Sequence, residues 1–235
     1  MDKLTFNGTI ISIQPRIRLI RSFDEISHAY LGFAIELEGK IDHQLDTIEP
    51  VATEKSIFSV GIGKAAHAKH QFKVNDVISG ECLPVPDPDL EPVEYYKVSK
   101  LNVISQGTTT KSTPPWEQVP PELEIYRERG HRRLSARTFE SKCSSCMWGA
   151  RMPVEIIIDN WNPKGQRKYR FETFCYGPLD CELYKAGPNR KVEGRNGMVY
   201  VEEDWIDQMA VEHRNEGLPI RKISDDDDDE ENIPF

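Results

Sequence analysis

Nowhere in its 235 residues does the chain keep up the run of ~20 apolar side chains that a membrane-crossing helix needs. Its first residues, MDKLTFNGTIISIQPR, lack the basic-then-apolar layout of a secretion leader, so the expected location is the cytoplasm, with no membrane partner. Cysteine is scarce, five in all, and a reducing compartment argues against disulfides. Also missing are a Gly-rich phosphate loop, a nucleophile elbow, a His-Glu helix motif and any recognisable carboxylate cluster of a metal-dependent nuclease. The expectation is therefore a protein that is not an enzyme. No internal repeat is present.

What is present is an ordinary globular composition, 29% charged and 38% hydrophobic, enough to bury a real core in one large domain or two modest ones. The net charge of −9 hides a strong asymmetry. Residues 1–126 hold 12 basic and 18 acidic side chains, residues 127–170 hold 11 and 4, and residues 171–235 hold 7 and 17. The middle is a cationic island, and an acidic total does not argue against nucleic-acid binding by the folded part.

The chain ends SDDDDDEENIPF. Seven consecutive carboxylates (Asp225, Asp226, Asp227, Asp228, Asp229, Glu230 and Glu231) repel one another and stay solvated, which predicts a disordered tail over 217–235. Ile233, Pro234 and Phe235 then form an apolar tip that a solubilising tail has no use for. A partner needs only a greasy pocket rimmed by Arg or Lys to take it. Over about a dozen residues this tip resembles the acidic tail of bacterial single-stranded DNA-binding proteins, which end in Asp residues followed by Ile-Pro-Phe. The resemblance implies recruitment of replication, recombination and repair enzymes.

In the first hundred residues, Leu31, Phe33, Ile35 and Leu37 alternate with Gly32, Ala34, Glu36 and Glu38, the period of a strand with one buried face. Phe58, Val60 and Ile62 repeat it. With Leu4–Ile13, Val77–Leu83 and Tyr95–Ile104, five strands are expected, with an Ala-rich helical insert, Gly63–Phe72, after the third. That is the layout of an OB-fold-like barrel over 1–111; a small sandwich or another barrel also fits the spacing. Four prolines in 112–121 predict an extended connector. A hairpin of Val154–Asn160 and Lys168–Phe174 is expected within a basic module over 122–202, and a short amphipathic helix over 203–216. The expected class is mainly β.

Cys143 and Cys146 form a C-x2-C pair, and Cys175 and Cys181 a C-x5-C pair beyond the hairpin. Thiolates two residues apart on a tight turn can face one tetrahedral ion, and a hairpin can bring the second pair opposite. The arrangement resembles a zinc ribbon, departing from it in the wide CYGPLDC loop, and implies a closed structural zinc site. An iron–sulfur cluster uses the same ligands and stays open as the alternative. Cys82, alone in a strand candidate, reads as a small core residue.

Single-strand binders combine a cationic groove with aromatic faces on which bases stack. Candidates in the barrel are Arg16, Arg18 and Arg21, placed after the first strand, Lys64, His67, Lys69, His70 and Lys73 after the third, and Tyr30. Phe33 and Phe58 share the alternation of core residues. In the basic module, Arg132, Arg133, Arg137, Arg151, Lys164, Arg167, Lys168 and Arg170 surround Trp148 and Trp161. The expected function is coating of single-stranded DNA with recruitment of partners through the tail. Two other readings remain: an adaptor that mimics the tail of the cellular single-strand binder, and a transcription or translation factor carrying a zinc ribbon.

Overall fold

A computed structural model describes residues 3–22, 26–42, 56–108, 111–159, 161–162 and 165–214. It is mainly β, with one large mixed sheet and a short helix towards the C-terminus. The tail expected over 217–235 lies outside the described residues, and so does Lys164.

Five strands make the first half: β1 (Leu4–Arg21), β2 (Ile26–Asp42), β3 (Ser56–Ile62), β4 (Val77–Pro84) and β5 (Tyr95–Ser105). A seven-residue helix, α1 (Lys64–His70), joins β3 to β4. β1 pairs antiparallel with β2 along almost its whole length, and with β4 through Leu4–Thr9. β2 continues to β3, β3 touches β5 in parallel at Val60 and Tyr95, and β5 pairs with β4. The ring thus closes in the order β1-β2-β3-β5-β4-β1.

The five expected strands and the helical insert are all there, but β1 runs eight residues beyond the expected Ile13, so Arg16, Arg18 and Arg21 lie on it rather than after it. Register shifts at Ile10/Ser12 change the buried set from Leu4, Phe6 and Ile10 to Ile13, Ile17 and Leu19, that is from even to odd positions. A second shift near Gly32, whose φ is +127°, bends β2 around the ring. A side chain there would stand 2.0 Å from the Ile62 carbonyl oxygen, so only glycine fits.

The second half joins the same sheet. β7 (Gly149–Ile157) runs parallel to the end of β1 through Leu19–Arg21 and pairs antiparallel with β8 (Arg167–Cys175), which carries the two-residue β6 (Arg132–Arg133) on its far side. Between connector and hairpin stand α2 (Leu123–Arg129) and α3 (Ala136–Thr138). After them come a two-stranded ribbon, β9 (Arg190–Glu193) with β10 (Val199–Glu202), and α4 (Asp204–Val211). One hydrophobic core runs from the ring into the second half, taking in Ile35, Val60, Tyr126, Met152, Val154 and Phe174.

Candidate metal centre and nucleic-acid surface

Cys143 ends a π-helical turn after α3, and the chain folds back at once: the Cys146 amide donates to the Cys143 carbonyl (3.1 Å) and the Gly149 amide to the Cys146 carbonyl (2.9 Å). Strand register sets Gly149 opposite Cys175, the last residue of β8, so the two pairs meet across the hairpin base. Cys181 follows on a turn closed by its amide and the Pro178 carbonyl (3.3 Å). All four cysteines line one enclosed space of about 10 Å³, whose other walls include Trp116, Leu134, Trp148 and Tyr184. Among the described residues no three or more Cys, His, Asp or Glu side chains are grouped as tightly as a bound ion would hold them. The thiols share walls without converging on one point.

The donor chemistry nevertheless fits a soft tetrahedral ion. Burial pushes the Cys143 thiol up to about 12 and the Cys146 thiol up to about 11, and each nearby sulfur adds to the effect. Four ionised sulfurs side by side in apolar surroundings are costly, and a cation among them reverses that penalty. Backbone amides are already turned to the sulfurs: Gly177 donates to Cys175 Sγ at 3.4 Å, and Trp148 and Trp116 to Cys146. The ring also grips the first turn from outside. Gln14 Nε2 donates to the carbonyls of both Cys143 and Cys146 at 3.0 Å, and Ser12 Oγ to the Ser144 carbonyl at 2.8 Å. Four sulfur ligands would leave no coordination position for water, which suits a structural ion. Cys82 is buried in the ring core, with burial raising its thiol to about 11.

Several residues expected on a DNA-binding surface lie inside. Arg21 is 1% exposed and pairs with Glu172 (3.2 Å) and Glu202. The odd-position parity that buries Ile17 and Leu19 carries this arginine in with them. Arg133 is 0% exposed and donates to Asp207 (2.7 Å), Asp204 and the carbonyls of Pro188 and Glu202. Arg132 is buried over the Tyr184 ring at 3.7 Å and donates to the Pro178 and Leu179 carbonyls, bracing the Cys175–Cys181 loop. His67 is 2% exposed, packed 4.1 Å from Phe33, with Nε2 on the Pro120 carbonyl at 2.9 Å. That contact fastens the connector to the ring. Trp148 packs on Tyr126 and under Arg129, and Tyr30 takes Arg127 over its ring. Phe33 and Phe58 are core residues.

The remaining candidates reach the surface to different degrees. Arg16 and Arg18 turn to Glu91, and Arg18 also donates to the Leu90 carbonyl (3.2 Å). Arg167, Lys168 and Arg170 pair with Glu155, Glu193 and Glu172. Lys64 stands near Glu124 (3.7 Å), Lys73 is half-buried, and Lys69 and Arg137 are exposed. His70 stacks on Phe72 at 5.2 Å. Arg151, over the Phe171 ring at 4.1 Å, edges a cleft of about 180 Å³ between the ring's outer face (Ser12, Ala34, Glu36, Ser59) and Ser144 of the cysteine turn. Trp161 is 86% exposed at the hairpin end. Sequence reasoning missed the clasp by Ser12 and Gln14, since nothing local marks a strand residue as a partner of a turn about 130 positions later.

Among the described residues, no helix is long and apolar enough to cross a membrane. No family model matches the chain, and neither a curated protein nor a solved structure matches it.

Proposed function

We propose that this protein binds single-stranded DNA in the cytoplasm through a five-stranded OB-fold-like barrel, holds its second half together with a structural zinc ion on Cys143, Cys146, Cys175 and Cys181, and recruits replication, recombination or repair enzymes through Asp225–Phe235. The observation that carries the reading is the ring's connectivity, β1-β2-β3-β5-β4-β1 with a helix between β3 and β4. A closed five-stranded ring with a helix after its third strand supports the OB-fold-like reading, a barrel used repeatedly for oligonucleotides. Fold alone does not give function. The cationic island, with its exposed Trp161, and the Ile-Pro-Phe end support the same reading from two separate parts of the chain. Zinc supplies only folding free energy here, and the reading assigns the chain no catalytic step.

One observation favours the adaptor reading. Arg132, Arg133, Arg167 and Arg170 spend their charge or hydrogen bonds within the protein, so the island offers fewer free cations than its composition suggests. A titration of single-stranded against double-stranded oligonucleotides over a salt series separates the two. A strand binder prefers the unpaired form, and its affinity falls with a log–log slope of about −0.7 per phosphate neutralised. An adaptor shows no such binding, while its end peptide still captures partner enzymes.

A further inference from the structure

The outer groove between α1 and β5, about 460 Å³ in volume, is walled by Gly63, Lys69, His70, Ser99, Lys100 and Leu101, and among the described residues no acidic side chain lines it. Two oddities of β5 lie there, one in the groove wall at Lys100 and one just before it at Lys97. Lys97 and Lys100 both hold φ +50°, the left-handed region, which side-chain-bearing residues seldom occupy within a strand. Each sits where the β4–β5 register slips, between Leu83/Tyr96 and Glu81/Ser99 for the first and between Glu81/Ser99 and Ser79/Asn102 for the second. An irregularity of this kind re-aims a side chain that regular pleating would place elsewhere, and it recurs beside binding sites.

Lys97 and Lys100 are both exposed, the Lys97 ammonium standing over the Tyr96 ring at 5.0 Å. Glu81, behind the groove, takes Lys100 and Lys3 (3.5 Å), one carboxylate between two ammonium groups, so a positive charge is left over. Across the groove Lys69 is exposed, and His70 is held by its stack on Phe72.

We infer that this groove and the stretch of β5 leading into it form a phosphate track for unpaired DNA, with Lys69 and Lys100 in the groove wall and Lys97, three residues earlier on β5 and outside the wall, neutralising phosphates, and the two backbone irregularities of β5 setting their spacing. The inference rests on the strand-binding reading and adds to it a role for β5 that the sequence did not suggest. The test is oligonucleotide binding by fluorescence polarisation over a salt series. It compares the full-length protein, the triple variant K69Q/K97Q/K100Q, and a control, K185Q/K191Q, that removes exposed charge from the second half.

The triple variant should flatten the log–log slope by about 2, the sum of about 0.7 for each phosphate no longer neutralised, while the control keeps the wild-type slope. Far-UV circular dichroism and melting check that the variants are folded. If the triple variant is not, K97Q and K100Q singly should each remove about 0.7 from the slope. A folded triple variant with the wild-type slope overturns the groove and leaves the strand-binding reading standing, as does a control that flattens equally. Tighter binding by the triple variant would assign the groove to the chain's own carboxylate run and also overturn it. If the wild-type protein binds no oligonucleotide, both proposals fall.

Discussion

Inside the ring the buried side chains are mostly apolar, Leu4, Phe6, Ile10, Ile35, Val60 and their like, with His67 and Asp76 among the few polar ones in the first half, whereas the second half buries Arg133, Glu172, Glu202, Asp207 and three cysteines among its apolar residues, and its carboxylates draw in Arg21 from the end of β1. The first interior is held mainly by apolar burial, worth about 25 cal/mol for each Å² removed from water. The second depends on partners: each buried guanidinium needs its carboxylates, and the thiols gain most from a cation. Breaking one member of such a set costs more than the intact set contributes, because the partner left behind is buried and unpaired. The ring is therefore the scaffold, and the second half is a conditional structure built on the end of β1.

The sharpest way to break this comparison is to take away the proposed zinc. Chelation, or Cys143→Ser with Cys146→Ser, should unfold the cysteine turn and hairpin base while leaving the ring standing. Hydrogen exchange reads this directly: the amides of Gly149–Met152 should lose protection and those of Ile35 and Val60 keep theirs. Metal analysis should find about one zinc per chain before treatment, from the four-thiolate stoichiometry.

Next in size, Arg133→Met should cost about 3–5 kcal/mol in urea unfolding by stranding Asp207. Ile35→Ala should cost about 2–5 kcal/mol in the ring by opening a cavity. The two are comparable in size.

Acidity should also separate the halves at the seam. His28 and His131 lie 4.9 Å apart there, near Arg21. Burial lowers His28 to about 4 and holds His131 well below its usual range. Their folded-state values are depressed, so above about pH 6.5 neither state takes up a proton and no stability is lost. As pH falls below that, the unfolded chain binds protons that the folded one refuses, and stability drops until His28 titrates near 4. His28→Gln should remove up to roughly 3 kcal/mol of that loss, read as a flatter plot of unfolding free energy against pH between 6.5 and 4. The smallest effect expected is that of Lys185→Ala, an exposed surface change that should stay within about 0.5 kcal/mol of wild type.

The two halves also differ in how openly the sequence declares them. The five strands are legible because one face of each is apolar and the other polar, and Phe33, Ile35 and Leu37 carry that period without interruption. The end of β1 is not legible. A register shift after Ile10 changes which positions face inward, and three arginines then look like a polar loop although Ile17 and Leu19 keep the alternation going.

In the second half, Arg132 and Arg133 read as surface charge because composition cannot show the carboxylates and carbonyls waiting for them in β10, α4 and the loop after β8. β9 and β10, four residues each, are too short to show a period. The cysteine spacing does signal that the two pairs come to line one space, since a hairpin fixes what lies at its base, but not that among the described residues they stop short of converging on one point.

Tail removal brings the two folded regions and the carboxylate run into one experiment. By resemblance to single-strand binders, loss of Asp225–Phe235 should tighten oligonucleotide binding at matched salt and abolish capture of partner enzymes. Weaker binding by the truncated chain would remove the idea that the tail competes with DNA.

The central claim is that the folded body grips unpaired strands through their phosphates. Its most direct test is the affinity of the intact protein for single-stranded and duplex oligonucleotides of the same sequence across a range of salt. The account predicts tighter binding to the unpaired form, weakening steeply and log-linearly as salt rises. Equal affinity for both forms, or binding that salt leaves unchanged, would contradict it.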